Sequence, residues 1–252
     1  MHDDPDRFIL IADIHGNADA LAAVLADIDA REAPGARIVN LGDHLSGPLD
    51  PAGTAELLEG REMVFLRGNH DRVVGTAAPR EMGATDRFTV DRLSPARIAW
   101  LREMPEVLRI GDGFFCHAIP RHDETYWAER VTPDGRVVLR GAEEIAAEAA
   151  GIDAGLLACG HSHQPRVSRL GDGRLWVNPG SVGCPAYRDE TPVPHAMETG
   201  SADARYAVAW REGGLWRADL RAVPYDAARM VAAARAAGRE DWARAVATGY
   251  AG

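Results

Sequence analysis

Cysteine is scarce in this chain. Its three cysteines, Cys116, Cys159 and Cys184, are odd in number and form no Cys-x-x-Cys pair. This argues against a disulfide framework of the kind that staples small secreted domains, and it fits a reducing compartment. Cys116 and Cys159 each end an apolar run, which predicts that both are small core residues.

Long apolar runs and an excess of basic residues are also missing. No run approaches the ~18 residues that a membrane-spanning helix needs, and the opening residues 1–7 are too acidic for a signal or transit peptide. The chain has 28 basic and 38 acidic residues, a net charge of −10. Non-specific nucleic-acid binding requires Lys and Arg to neutralise phosphates, so this charge balance disfavours such binding. A local basic pocket is still compatible with the net charge. We therefore expect a soluble cytoplasmic protein.

The first part of the chain alternates apolar strands with amphipathic helices. With 252 residues and 46% hydrophobic content, it can bury a large core, and we expect one domain over residues 1–252. Strands are predicted at 8–12, 37–41 and 62–67, with helices at 18–30 and 50–60. Pro34-Gly35 is expected to end the first helix, and Asp50 to cap the second. This order predicts an α/β layered fold with parallel pairing.

The rest of the chain is richer in hairpins. Residues 75–104 lack a strand pattern, and Ser94-Pro95 starts a helix within them, which predicts a small helical cap. The other predicted elements are a hairpin over 107–117, a helix at 142–150, a strand at 156–159, hairpins turning at 171–173 and 212–214, and one helix from Asp226. The polar stretch 188–204 is the most loop-like, and its role is open.

Metal-ligand residue types follow the apolar runs at five separate strand ends. They are Asp13, His15, Asp43, Asn69, His70, His117, His161 and His163. Any one of these histidines alone is more often a structural loop or core residue. In α/β sheets, however, the loops at the carboxyl ends of the strands line a shared crevice, so the ordered set predicts one site.

The predicted ligands suit two cations better than one. Three carboxylate or amide groups and four imidazoles exceed the three or four protein ligands of a tetrahedral site. Asp43, which follows a tight Gly42 turn, is the natural bridge between two ions. Mixed nitrogen and oxygen ligands without thiolate admit Mn, Fe, Co, Ni or Zn. Two such ions can clamp the oxygens of an in-line phosphoryl displacement.

The blocks resemble those of the calcineurin-like metallophosphoesterase superfamily. In the family's order, they are Asp13-x-His15, Gly42-Asp43, Gly68-Asn69-His70-Asp71, His117 and Gly160-His161-Ser162-His163. The segments at 42–48 and 178–183 are similar to those of its small bacterial phosphodiesterase-like branch. The chain does not resemble the protein serine/threonine phosphatases, because Leu45 and Ser46 stand where those carry the Gly-Asp-x-x-Asp block and its Arg.

The resemblance implies a four-layer α/β/β/α sandwich of two mixed sheets flanked by helices. It implies one metal held by Asp13, His15, Asp43 and His163. The second metal would be held by Asp43, Asn69, His117 and His161. His70 would act beside the phosphate, stabilising the transition state or protonating the leaving oxygen, and Asp71 would orient its ring.

Other residues carry weaker signals. Arg121 and Arg188 could bind a substrate phosphate, although such arginines are more often solvated surface residues. His44 could contact the leaving group or hydrogen-bond behind the ligands. Residues 178–181 could line the site or form an ordinary turn. Trp100, Tyr126 and Trp127 could stack on a nucleobase, but core packing is the better expectation.

The leading hypothesis is a dinuclear metal-dependent hydrolase of phosphate esters, either a phosphodiesterase or a phosphomonoesterase, in which metal-bound hydroxide is the nucleophile. Its substrate would be a small phosphate ester, with nucleotides among the candidates. A non-catalytic scaffold of the same fold is the main alternative, although the ligand set and His70 are complete. A nuclease has suitable metal chemistry but the wrong overall charge. The sequence does not indicate the native metals or the oligomeric state.

Overall fold

The structure is a computed structural model, and it describes residues 6–32 and 37–252. The predicted helix break at Pro34-Gly35 lies outside these residues. The strands are β1 (Arg7–Ile11), β2 (Arg37–Asn40), β3 (Val64–Phe65), β4 (Val107–Ile110), β5 (Gly113–Cys116), β6 (Glu129–Val131), β7 (Val137–Leu139), β8 (Leu156–Ala158), β9 (Arg166–Arg169), β10 (Leu175–Asn178), β11 (Ala186–Asp189), β12 (His195–Glu198), β13 (Ala204–Glu212) and β14 (Leu215–Val223). The helices are α1 (Ala18–Arg31), α2 (Pro51–Glu59), α3 (Asn69–Thr76), α4 (Ala84–Val90), α5 (Pro95–Glu103), α6 (Ala142–Glu148), α7 (Ala228–Ala236) and α8 (Glu240–Thr248).

Two five-stranded mixed sheets form the centre of the molecule. The first has the order β14-β13-β1-β2-β3, and the second has the order β4-β5-β8-β10-β9. In the first sheet β1, β2 and β3 are parallel, while β13 is antiparallel to β1. In the second sheet β5, β8 and β10 are parallel. Each sheet therefore gathers several carboxyl strand ends at one edge.

The alternation of side chains along the strands builds three apolar layers. Phe8 and Leu10 of the first sheet pack against Phe115 and Val177 of the second sheet, which joins the two sheets face to face. On the other face of the first sheet, Ile9 packs with residues of α1 and α2. On the outer face of the second sheet, a further cluster includes residues of α6. This is the predicted α/β/β/α sandwich.

Capping residues set several boundaries where the sequence predicts them. The side chain of Asp50 accepts a hydrogen bond from the backbone N–H of Gly53 at the start of α2, and Gly60 follows its end. Ser94 caps α5 in the same way, within the helical region predicted for the cap. The three hairpins predicted around residues 111, 172 and 213 are present as β4–β5, β9–β10 and β13–β14.

Three local predictions need correction, and one further hairpin is present. The stretch expected as a loop at 188–204 contains most of the β11–β12 hairpin. The single C-terminal helix is two helices, because Gly238 adopts φ +72° between α7 and α8. The β6–β7 hairpin was not predicted, although Pro133-Asp134-Gly135 is a turn sequence. The third strand is limited to Val64–Phe65.

No helix among those of residues 6–32 and 37–252 has the length and apolar character needed to cross a membrane.

Candidate metal centre

The loops that follow four strands are hydrogen-bonded to one another at one edge of the two sheets. The backbone N–H of Asp13, after β1, donates to the carbonyl of Gly42, after β2, at 3.0 Å. The N–H of Gly160, after β8, donates to the carbonyl of His117, after β5, at 2.8 Å. The N–H of His161 also donates to the carboxylate of Asp13, at 3.0 Å, which links the two sheets. The backbone thus brings residues from distant parts of the chain together.

Backbone strain is concentrated on the predicted ligands. Within the described ranges, the non-glycine residues with positive φ are Asp13, His15, Asp43, His161 and His163, with φ from 51° to 68°. Positive φ is uncommon for residues with a Cβ and persists only where the surroundings fix it. All of these residues belong to the predicted ligand set, so the fold holds each of them in a conformation that the unfolded chain disfavours.

Close packing around glycines explains how the loops approach. A Cβ on Gly68 would lie 2.1 Å from Oδ1 of Asp43, and one on Gly183 would lie 1.9 Å from the carbonyl oxygen of Ile14. Neither distance is compatible with a side chain, so both positions require glycine. The loops can therefore pack directly against the backbone and side chains of the ligand residues.

Two groups of ligand atoms converge, and they share Asp13. The atoms of Asp13, His15 and His163 lie within 4.8 Å of one another, as do those of Asp13, Asp43 and His117. Oδ2 of Asp43 lies 3.7 Å from Nε2 of His15 and 3.4 Å from Nε2 of His117. Asp43, a member of the second group, therefore also lies near His15 of the first group, while Asp13 belongs to both.

Asn69 and His161 lie beside the second group. Oδ1 of Asn69 lies 2.9 Å from Nε2 of His117. The rings of His117 and His161 are 5.1 Å apart, centroid to centroid. The structure therefore brings all seven predicted ligands close together, and their division between two metal ions stays a prediction.

The hydrogen bonds of the imidazoles test whether this place suits cations. Nδ1 of His15 bonds to the carbonyl of Ser46 at 2.7 Å, and Nδ1 of His163 bonds to the carbonyl of Cys184 at 2.6 Å. Because a carbonyl can only accept, each Nδ1 carries the hydrogen and each Nε2 of the neutral ring presents a lone pair. These two Nε2 atoms face each other at 3.2 Å. Two lone pairs this close repel unless a proton or a metal ion lies between them. Burial acts to lower the pKa of His163, but Asp13 raises it, so this position favours a positive charge, either a proton or a metal ion that displaces it.

Charge and burial shift the pKa values of these groups. Burial lowers the pKa of His15 to about 4, and burial together with the nearby His117 lowers that of His161 to about 3. Burial also acts to lower the pKa of His117, but Asp43, Asp13 and the carbonyl of Leu41 together raise that pKa to about 9. In turn, burial opposes ionisation of Asp43, yet His117 and His70 hold its pKa well below the usual range. A proton on His117 would compete with a metal ion.

His70 lies beside these groups, and its ring is oriented by Asp86. Nδ1 of His70 is 2.8 Å from Oδ1 of Asp86, a residue of α4. Burial acts to lower the pKa of His70, but Asp43 and Asp86 raise it to about 9. The predicted orientation of His70 by Asp71 is wrong. Asp71 instead accepts from Nδ1 of His44 at 2.7 Å and from the backbone N–H of Asp43 at 2.8 Å.

The weaker sequence candidates fall in three different places. His44 is fully buried behind the ligands, and its ring packs near Phe65 and Trp100, so it does not reach the cavity as a contact for the leaving group. The exposed Arg121 lies 3.5 Å from Glu148 and borders a smaller cavity that His117 also borders. Arg188 borders the cavity beside the ligands, and its role as a substrate contact stays a prediction.

The segment at 178–181 supports the ligand loops from behind. The hydroxyl of Ser181 donates to the carbonyl of Asp13 at 2.7 Å, and Nδ2 of Asn178 donates to the carbonyl of Gly160 at 2.7 Å. Both side chains are buried, so this segment does not line the site.

The three aromatic residues singled out in the sequence do not form one cluster. Trp127 packs against Trp176 in the core, and Trp100 lies near His44. The ring of Tyr126 packs on that of His161, with centroids 5.1 Å apart. Core packing is therefore confirmed for Trp127.

A cavity of about 420 Å³ opens onto the ligand residues. We call it the α8 cavity; its border includes His70, Thr85, Tyr187, Arg188, Arg239 and Trp242. Trp242, on α8, also packs against His15, with ring centroids 5.8 Å apart. Sequence analysis missed Asp86, Arg239 and Trp242, because no local motif marks them: each is a polar or aromatic residue in an ordinary helical stretch.

The chain belongs to the calcineurin-like phosphoesterase superfamily, whose domain model matches residues 7–199. It is 28% identical over 203 residues to an uncharacterised protein of Methanocaldococcus jannaschii, an alignment that covers 70% of this chain and 76% of that protein. The family assignment confirms the resemblance carried by the ligand blocks.

Solved structures share the fold. A metallophosphoesterase from Sphaerobacter thermophilus has a TM-score of 0.68 at 23% identity, over 94% of this chain and 99% of that one. A hypothetical protein from Pyrococcus horikoshii OT3 has a TM-score of 0.74 at 18% identity, over 96% of this chain and 98% of that one. At these identities the likeness concerns the fold.

Proposed function

We propose that this protein is a dinuclear metal-dependent hydrolase of phosphate esters. The observation that carries the proposal is the pair of imidazole Nε2 atoms of His15 and His163, which face each other at 3.2 Å while both Nδ1 atoms bond to carbonyls. Four residues would hold one ion: Asp13, His15, Asp43 and His163. Four would hold the other: Asp43, Asn69, His117 and His161.

The metals and the chain would have separate tasks. Two bound divalent cations would polarise the phosphate and make water a stronger nucleophile near neutral pH. His70 would donate a proton to the leaving oxygen from Nε2, since its Nδ1 is engaged by Asp86 at 2.8 Å. Asp71 would fix the loops by accepting from the N–H groups of Asp43 and His44. The substrate would be a small phosphate ester, with nucleotides among the candidates.

A metal-reconstitution assay tests the proposal. Protein stripped of metal by a chelator is assayed on chromogenic phosphate esters before and after addition of Mn²⁺, Fe²⁺, Co²⁺, Ni²⁺ or Zn²⁺. We expect no turnover without metal and turnover with at least one of these ions. Metal-independent turnover, or none with any ion, would contradict the proposal, and the second result would favour a non-catalytic scaffold.

The stereochemistry at phosphorus tests direct attack by water. A single displacement inverts the configuration at a chiral phosphorus, whereas a covalent phospho-enzyme formed and hydrolysed at the same atom retains it. We expect inversion with a phosphorothioate substrate of known configuration. Retention would mean that a side chain acts as nucleophile.

A further inference from the structure

Three cavities border residues of the candidate metal centre. The smallest, of about 220 Å³, touches only His117 among the predicted ligands and lies below the ~300–1,000 Å³ typical of small-molecule sites. Besides the α8 cavity, a cavity of about 770 Å³ lies next to the β6–β7 hairpin, and we call it the β6 cavity. Its border includes Tyr126, Arg130 and Glu144. Asn69, His161 and Asp189 border both cavities. A phosphate held by the ligand residues would therefore have open space on two sides.

The β11–β12 hairpin separates the α8 and β6 cavities. Tyr187 and Arg188, in β11, border the α8 cavity, while Thr191 and Pro192, in the turn, border the β6 cavity. The hydroxyl of Tyr187 bonds to the carbonyl of His161 at 3.3 Å, which fixes the hairpin against a ligand loop. The division between the cavities is therefore built into the fold beside the ligands.

The number of cavities bears on the class of substrate. A phosphate monoester has one organic group and would use one cavity, whereas a diester has two organic groups on the same phosphorus. Both volumes lie within the ~300–1,000 Å³ typical of small-molecule sites. On the basis of the proposed function, we propose that the substrate is a phosphodiester, with its leaving group in the α8 cavity and its retained group in the β6 cavity.

The position of His70 decides which group goes where. His70 borders the α8 cavity and is not among the residues that border the β6 cavity. A residue that protonates the departing oxygen must lie within hydrogen-bond reach of it, so the leaving group belongs in the α8 cavity. Trp242 and Ala245 give that cavity an apolar wall that suits an organic group.

The β6 cavity suits a retained group with polar substituents. Arg130 pairs with Glu144 at 3.1 Å on its border. Tyr126, on the same border, also contacts the candidate metal centre, because its ring packs on that of His161. A ligand there can exchange hydrogen bonds with these groups without displacing a metal ligand.

The first test compares two esters with the same leaving group. Enzyme loaded with the metal that supports turnover is assayed on bis(4-nitrophenyl) phosphate and on 4-nitrophenyl phosphate. We expect kcat/KM to be at least about tenfold higher for the diester, as the loss of one well-filled subsite suggests. An equal or higher value for the monoester would overturn the proposal while leaving the proposed function intact. Turnover of neither ester would contradict the proposed function and this proposal together.

The second test narrows each cavity with the same substitution. Thr125 borders the β6 cavity and Thr85 the α8 cavity, whereas the exposed Thr76 borders neither. The substrates are bis(4-nitrophenyl) phosphate and methyl 4-nitrophenyl phosphate, which share a leaving group and differ in the size of the retained group. Thr125→Trp should lower kcat/KM about tenfold more for the larger diester. Thr85→Trp should affect both diesters alike, and Thr76→Trp should leave their ratio unchanged.

A Thr125→Trp enzyme that is folded and metal-loaded but shows the wild-type ratio would overturn the assignment of the β6 cavity. Circular dichroism and metal content establish the folded state. If Thr125→Trp does not fold, Arg130→Trp, at another exposed position on the same cavity, repeats the test with the same expected result.

Discussion

The floor and the wall of the α8 cavity are held in different ways. The floor consists of the strand-end loops that carry the predicted ligands, and the wall consists of α4, the β11–β12 hairpin and α8. On the floor, carbonyl groups fix the rings of His15, His117 and His163. On the wall, exposed or half-buried side chains pair with each other, as Arg239 does with Asp241 at 2.6 Å. The floor is fixed by the backbone, whereas the wall depends on side chains that can be exchanged at little cost.

The family comparison divides along the same line. The matched residues, 7–199, contain all the predicted ligands, whereas α8 (Glu240–Thr248) lies beyond them. The residues that match the superfamily therefore form the floor and part of the wall of the α8 cavity. We therefore expect the floor to determine the type of reaction and the wall to determine the preference for one substrate over another. Four substitutions test this division, in order of decreasing expected effect.

The strongest test on the floor is His70→Ala. We expect turnover to fall by about 10³-fold, within the range for a lost proton donor. Metal content should stay at the wild-type value, because His70 is not among the predicted ligands. Steady-state kinetics and elemental analysis of the same preparation measure both quantities. A parallel loss of metal would instead make His70 a ligand.

The packing of the floor is tested by Gly183→Ala, with Gly171→Ala as the matched control. A Cβ at Gly183 would lie 1.9 Å from a carbonyl oxygen, while one at Gly171 would meet nothing within 4 Å. We expect Gly183→Ala to lower the free energy of unfolding by about 2–3 kcal/mol and Gly171→Ala to change it by less than about 0.5 kcal/mol. Urea denaturation measures both. Equal changes in the free energy of unfolding for the two variants would show that the loops can shift to accommodate the added methyl group.

Asp86→Asn tests the contact between floor and wall through its pH dependence. Burial lowers the pKa of His70, whereas Asp43 and Asp86 raise it to about 9. Removing the charge of Asp86 should lower the pKa of His70. Because the proposed proton donor must be protonated, the alkaline limb of the pH–rate profile should move to lower pH, with turnover near neutral pH reduced about tenfold. A limb that stays in place would show that His70 is not the group that titrates.

The smallest effect is expected on the wall, from Trp242→Ala. It should raise KM for an aromatic diester by about tenfold or less and leave kcat and metal content near the wild-type values, since it removes binding surface and no ligand. Trp242→Phe, which keeps an aromatic ring, should restore most of the affinity. A loss of metal with Trp242→Ala would instead mean that the contact with His15 supports the floor.

Sequence analysis was most successful where one local pattern carried both structure and chemistry. An apolar run followed by Asp13 and His15, or by His161 and His163, predicts a strand and the ligands after it. The two mixed sheets and the convergence of five of the seven predicted ligands follow from such patterns. The assignment of particular ligands to each of two metal ions came from the resemblance to the superfamily, because the spacing of the residues alone does not assign them.

The misses at the site share a physical cause, since they depend on contacts between residues far apart in sequence, whereas the missed hairpin is local. Asp71 is adjacent to His70 in sequence, but α3 directs it to His44, and Asp86 approaches His70 from α4. Trp242 contacts His15, which lies more than 200 positions earlier in the sequence. The spacing of residues within one helix or strand cannot predict such a contact. The β11–β12 hairpin, read as a loop, pairs through the backbone despite its polar, proline-containing sequence.

The most direct test of the account is the metal stoichiometry of the purified protein, measured by elemental analysis alongside that of Asp43→Asn. If Asp43 stands between two ions, the wild type should bind two divalent ions per chain after reconstitution, and the variant should bind fewer and lose nearly all turnover. A wild type that binds none, or an Asp43→Asn variant with the full complement and wild-type turnover, would contradict a metal centre built on these strand ends.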